Sequence, residues 1–164
     1  MRYILVYGLL SGTVIIAAML VVLNMSGLHS ELIGYLIMFV ALTMIFIGVK
    51  RYRDIELGGV IKFWRAFGIG LGIAACATVA YILIWEVYLA ATHYVFMDHY
   101  IAALRESGAP AKQVAEMVAV RDAYNNNPLF RMGMTAIEIF PMAFVIALLS
   151  AGLLCFPKVL PARR

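Results

Sequence analysis

The sequence predicts an all-α integral membrane protein with four transmembrane helices arranged as two hairpins. An amphipathic extracytoplasmic helix-turn-helix is expected between the third and fourth. Three observations carry this reading. Four apolar runs, residues 3–23, 32–49, 66–90 and 132–156, fill most of the chain. Each holds roughly 18 or more residues, enough to cross a hydrocarbon core about 30 Å thick. Hydrophobic residues make up 65% of the sequence and charged residues 13%, with a mean hydropathy of +0.95. A soluble domain carries about 25% charged residues, so water cannot solvate most of this surface. The basic residues, finally, alternate in density from one side of the runs to the other. A length of 164 residues allows a single bundle spanning 1–164 rather than two domains.

Arg2 ahead of the first run has the look of a signal-peptide n-region, but the run is longer than the usual 7–15-residue apolar core. No A-x-A-like site precedes a soluble mature domain, so it reads as a retained helix. Gly8 and Gly12 here, and Gly68 and Gly72 in the third run, each form G-x-x-x-G, a spacing that lets helix backbones approach closely. Packing within one chain is the expected use, with dimerisation as the alternative. A short outer turn over 24–31 leads into the second run. The loop over 50–65 then carries Lys50, Tyr52, Arg53, Asp54, Gly58 and Gly59. Its diglycine permits a tight bend. Ile61, Phe63, Trp64 and Phe67 suit the membrane interface, while Lys62 and Arg65 reach headgroups. The loop reads either as a topology anchor or as a cytoplasmic docking element.

The outer segment of roughly 40 residues after the third run looks helical over 94–127. Met97, Tyr100, Ile101 and Leu104 recur at helical spacing, and Ser107-Gly108 is a stop signal. Pro110 suits a first helical turn. Val114, Met117, Val118 and Tyr124 are expected to form the apolar face of a second helix, with Lys112, Glu116 and Asp122 elsewhere. Asn125-Asn126-Asn127-Pro128 ends it, because the residue before proline avoids the helical region. The pair reads either as a connector sealing the helix ends or as a platform for a partner or lipid.

One side of the runs holds Arg2, Lys50, Arg51, Arg53, Lys62, Arg65, Lys158, Arg163 and Arg164; the other holds Arg105, Lys112, Arg121 and Arg131. The positive-inside rule therefore places both termini in the cytoplasm. The net charge of +4 fits anionic lipid at the inner face rather than nucleic acid, because the basic residues flank the membrane segments. Cys76 and Cys155 are expected to lie at different depths, too far apart for a disulfide, and so to be free thiols.

Two acids lie inside apolar runs, Glu86 in the third and Glu138 in the fourth. At about 1.5 Å per residue both fall within one to two turns of the outer end. His93 follows Glu86 by seven residues; Arg131 precedes Glu138 by seven, with Thr135 between. A cluster of Glu86, His93, Arg131, Thr135 and Glu138 at the outer mouth is the expected polar site, flanked by Tyr81, Trp85 and Tyr88. Ionisable residues in membrane helices are costly and often functional. In the structural version Arg131 pairs with one glutamate and fixes helix register. In the functional version the cluster is a pocket for a proton, cation or headgroup. One His and two Glu without tight spacing are a weak metal signal, so no metal is expected. Pro141 predicts a kink in the fourth helix.

The loop and its flanks resemble a bacterial membrane family, domain of unknown function 4199. The resemblance rests on Gly48, Lys50, Tyr52, Arg53, Asp54, Gly58, Gly59, Ile61, Phe63, Ala66, Phe67 and Gly70. A second patch is similar as well: Asn127-Pro128-Leu129, Gly133-Met134-Thr135 and Glu138-Ile139-Phe140-Pro141, with Tyr81, Trp85, Glu86 and Tyr88 in the third helix. The resemblance implies a small four-helix protein of the bacterial inner membrane and implies no activity.

The chain has no P-loop, G-x-S-x-G, H-E-x-x-H or CxxC pair, so catalysis and a cofactor are not expected. Two functions remain. One is a non-catalytic accessory module binding lipid, a membrane-protein partner or a second copy of itself. The other is a small oligomeric transporter or ion-translocating unit using Glu86 and Glu138.

Overall fold

Lipid offers no hydrogen bonds to a bare backbone, so a spanning segment must satisfy its own amides, and the helix does this residue by residue. The computed structural model describes residues 1–24, 31–156 and 160–161. Among them are six helices and no strand: α1 (Arg2–Asn24), α2 (Glu31–Glu56), α3 (Phe63–Ala91), α4 (Phe96–Glu106), α5 (Ala111–Asn126) and α6 (Pro128–Leu154). Four are long and apolar enough to cross a membrane, over Arg2–Val22, Gly34–Glu56, Phe63–Ala91 and Pro128–Leu154. The chain is a membrane protein. The turn expected over 24–31 and the tail bases Lys158, Arg163 and Arg164 lie wholly or largely outside the described residues.

The helices outrun the apolar runs. α2 continues to Glu56 instead of ending near residue 49, and α6 starts at Pro128 instead of near 132. Hydropathy marks where lipid lies, whereas hydrogen bonds and caps mark where a helix ends. Lys50 and Asp54 pair one turn apart at 2.5 Å and carry α2 past its apolar stretch. Most of the expected loop over 50–65 is thereby helix. It turns at Gly58 and Gly59, both at positive φ, where the Gly59 N–H donates back to the Arg53 carbonyl at 2.9 Å. At the other boundary Asn127 is the N-cap of α6: its Oδ1 accepts from the Phe130 N–H at 3.2 Å, and Pro128 occupies the first helical position. α6 continues as a helix through Pro141.

The chain divides into two compact units, residues 1–81 with 138–164, and residues 82–137. In the first, α1 and α2 pack together. Ser11, fully buried, donates its hydroxyl to the Ala41 carbonyl at 3.0 Å, and Arg51 donates to the Tyr7 hydroxyl at 3.1 Å. α1 packs on α3 through its glycines. A Cβ at Gly8 would fall 2.5 Å from that of Cys76, and one at Gly12 would fall 2.6 Å from the Ala77 carbonyl oxygen. A Cβ at Gly72 would meet the flexible end of the Ile4 side chain at 2.8 Å, and one at Gly68 would meet nothing. Three of the four expected glycines are thus used inside one chain. Gly70 meets Ala147 of α6, where Ala143, Ala147 and Ala151 are fully buried at four-residue spacing. Small residues dominate because lipid tails are as apolar as leucine, so helices associate through close packing rather than hydrophobic exclusion. Large apolar side chains face outward: Val40, Val79 and Leu149 are more than half exposed, as a lipid surrounding allows. Both cysteines are free.

In the second unit α4 and α5 pack together, joined by a Schellman turn. The Ala109 N–H bonds the Leu104 carbonyl, the Gly108 N–H bonds that of Arg105, and Gly108 has φ +72°. The predicted stop at Ser107-Gly108 is present. α4 buries Met97 and Ile101 on one face. α5 does not have the expected apolar face. Its valines and alanines are spread around the axis and only Tyr124 is buried, so the amphipathic reading holds for α4 alone.

Gly12→Val in α1 should destabilise the protein by about 1–3 kcal/mol, because a backbone carbonyl cannot yield to the new side chain. Gly68→Ala should be neutral or stabilising by up to about 1 kcal/mol, since it fills open space in a helix interior. Unfolding in detergent micelles compares the two directly.

Candidate functional site: a buried arginine in the second unit

Arg131 enters on the first turn of α6 and is 1% exposed. A guanidinium withdrawn this far from water must have its donors met. Glu86 of α3 meets two: Arg131 Nε donates to Oε1 at 2.7 Å and Nη2 donates to Oε2 at 2.5 Å, a bidentate pair. Nη1 donates to the carbonyls of Tyr124 and Asn125 at 2.7 and 3.2 Å. Those carbonyls belong to the last turn of α5, where backbone acceptors have no partner within the helix. Arg131 therefore closes the C-terminus of α5, where a positive charge is also favoured by the helix dipole.

Aromatic rings complete the enclosure. The Arg131 guanidinium lies 4.7 Å from the Tyr94 ring centroid and 5.9 Å from that of Tyr124. Trp85 donates its indole N–H to the Tyr124 hydroxyl at 3.0 Å, stacks on Tyr88 at 5.3 Å and meets Phe96 edge-on at 5.0 Å. Asn125 Oδ1 is buried and has no hydrogen-bond partner among the described residues.

Of the five residues the sequence groups here, the structure joins three. Glu86 and Arg131 are the ion pair, and buried Thr135 returns its hydroxyl to the Arg131 carbonyl at 3.0 Å. His93 is exposed and serves the turn after α3: its N–H bonds the Ala90 carbonyl, the Tyr94 N–H bonds the Leu89 carbonyl, and His93 takes φ +54°. That is a Schellman closure with histidine in the position glycine usually fills. Tyr94 follows at φ +58° and so reaches Arg131. Glu138 is exposed and belongs to the first unit. Among the described residues no group of three or more His, Cys, Asp or Glu lies close enough to hold a metal ion.

The first unit holds a second buried arginine. Arg53 near the end of α2 is fully buried. Its Nε donates to Asp54 at 2.7 Å, Nη1 to the Leu154 carbonyl at the end of α6 at 3.4 Å, and Nη2 to the Leu160 carbonyl at 2.5 Å. Asp54 also accepts from Lys50. Tyr52, by contrast, is part-exposed; it meets Tyr3 edge-on and accepts from Arg65 at 2.8 Å. Carbonyl acceptors at helix ends leave no mark in a sequence, so neither capping role was visible there. Tyr94 and Tyr124 were equally hidden, since nothing in their spacing ties them to Arg131.

A family model described as Protein of unknown function (DUF4199) matches residues 6–155. No curated protein matches the chain, and no solved structure does.

Removing one partner of a buried pair leaves the other charge uncompensated, at about 3–5 kcal/mol. Arg131→Met and Glu86→Leu should each lose that much, and the two combined should recover a large part. Additive losses in a double-mutant cycle would show that the pair does not couple. His93→Gly should gain about 1 kcal/mol, because glycine adopts the left-handed region without steric cost. Both are read from unfolding in micelles.

Proposed function

The chain belongs to the DUF4199 family, and we propose that it is a non-catalytic accessory module of the bacterial inner membrane that binds lipid or a membrane-protein partner. Both termini are cytoplasmic in this reading, and α4 and α5 lie on the outer side between the second pair of spans. The observation that carries it is the bidentate Glu86–Arg131 pair. A carboxylate that passes a proton or ion along a pathway must alternate between free and occupied states. Both Glu86 oxygens are taken by a guanidinium that also holds the end of α5, so releasing the acid means opening a helix terminus. Such an arrangement holds charge in place rather than exchanging it. What remains for interaction is surface: the α4–α5 pair for a protein partner, and the basic, aromatic end of α2 and α3 for lipid.

Native mass spectrometry of protein extracted gently from its own membrane should find a defined partner or retained lipid. The rival reading, an ion-translocating oligomer, requires flux in proteoliposomes that Glu86→Gln and Glu138→Gln abolish while the protein stays folded. That result, together with a bare homo-oligomer in the mass spectrum, would overturn the accessory role.

A further inference from the structure

One end of the first unit is strongly basic: among the described residues Arg2, Lys50, Arg51, Arg53, Lys62 and Arg65 outnumber Asp54 and Glu56. Four of these bases differ in what they do. Lys50 and Arg53 share the carboxylate of Asp54 and are consumed by it and by the end of α6. Arg51 and Arg65 are exposed, and among the described residues no carboxylate pairs with either.

Their partners are tyrosine hydroxyls instead. Arg51 Nη1 donates to Tyr7 at 3.1 Å, and Arg65 Nη2 donates to Tyr52 at 2.8 Å while its guanidinium lies 5.6 Å from the centre of the same ring. The rings between them are continuous: Tyr7 stacks on Tyr3 at 6.4 Å and Tyr3 meets Tyr52 edge-on at 5.6 Å. A hydroxyl orients a guanidinium without neutralising it, and one hydrogen bond leaves four of the five arginine N–H donors available. A guanidinium held by a hydroxyl, with no carboxylate in an ion pair with it, can still take two phosphate oxygens. Beside Arg65, Trp64 is 78% exposed and packs against Phe63 and Phe67, an aromatic group suited to the headgroup layer.

We propose that this corner is a binding site for an anionic phospholipid, with Arg51 and Arg65 as ligands of its headgroup phosphate and Trp64 seated in the interface beside it. The proposal rests on the lipid- or partner-binding reading above and names the ligand. Water-soluble phosphate shares the phosphate chemistry but lacks the acyl chains that hold a lipid at the depth of Trp64, so the lipid is the occupant.

The test is native mass spectrometry and thermal unfolding of the purified full chain in micelles. The probes are phosphatidylglycerol, phosphatidylcholine and inorganic phosphate, each added separately. Phosphatidylglycerol should be retained in preference to phosphatidylcholine and should raise the melting temperature, while inorganic phosphate should not. Arg51→Gln with Arg65→Gln should weaken phosphatidylglycerol retention about fivefold for each arginine removed. Lys112→Gln with Arg121→Gln, the same charge change on α5, should leave it intact. If the double variant fails to fold, Arg65→Gln alone carries the test, because that side chain is exposed. Equal retention of both lipids, stabilisation by inorganic phosphate alone, or equal loss in the α5 variant overturns the site. Glutamate-dependent flux bears on the accessory role and leaves this comparison standing, so the two can fail separately.

Discussion

A guanidinium taken out of water must bring its partners with it, and this structure is arranged around two that do so. Arg131 and Arg53 are almost completely buried, each beside a carboxylate and each aimed at the carbonyl end of another helix. Two kinds of unmet demand meet at such a point. The last carbonyls of a helix have no donors of their own, and the buried cation has more donors than one carboxylate can accept. Either alone would be costly in an apolar surrounding. Together they cancel, and the geometry that lets them cancel fixes where the helix ends. Lysine could not replace arginine here, because one ammonium cannot grip a carboxylate in a fork and reach two carbonyls beyond it.

Packing between the long helices obeys a different constraint. With little hydrophobic gain available in lipid, close approach of backbones supplies the contact energy, and side-chain bulk is the obstacle. Gly8 and Gly12 against Cys76, Ala77 and Ala80 make one such approach, and Gly70 against Ala147 makes another. The buried Ser11 hydroxyl, donating to α2 across this tight interior, shows the same economy of size. The first unit adds this close packing to the Arg53 centre, and the second pairs its own polar centre with an aromatic shell.

The four spans were legible because apolar length is a property of sequence alone. The helix stops at Asn127-Pro128 and Ser107-Gly108 were legible because they use residue types with known backbone preferences, whereas the N-cap role of Asn127 for α6 was not read. The ion pair could be anticipated only as one of several pairings, since Arg131 could reach either glutamate on spacing grounds. What the sequence hid falls into three kinds. Helix-end carbonyls are present in every residue and so carry no signature, which concealed the reach of Arg131 to α5 and of Arg53 to α6. Histidine in a left-handed cap position looks like a candidate ligand, because the chain gives no sign that a turn there demands positive φ. The missing apolar face of α5 is a third case. Val114, Met117, Val118 and Tyr124 do recur at helical spacing, but Ala111, Ala115, Ala119, Val120 and Ala123 fill the rest of the circumference.

The positions that carry the family resemblance can be read in the same physical terms. Gly48 admits Tyr7 and Ile73, Gly70 admits Ala147, and Gly58 and Gly59 make the turn between α2 and α3. Arg53 and Asp54 hold the end of α6, Asn127 and Pro128 start it, and Trp85 and Glu86 bind the rings and the guanidinium of the second unit. Each has a task in closing a helix end, making a turn or allowing two backbones to meet. In a soluble enzyme, a polar signature of this kind would direct attention to a reaction. In lipid, where every unpaired backbone group is costly, the same residue types are needed simply to finish helices. That difference in solvent directs the search for function to the residues that remain unspent by the fold, among which Arg51, Arg65 and Trp64 are prominent.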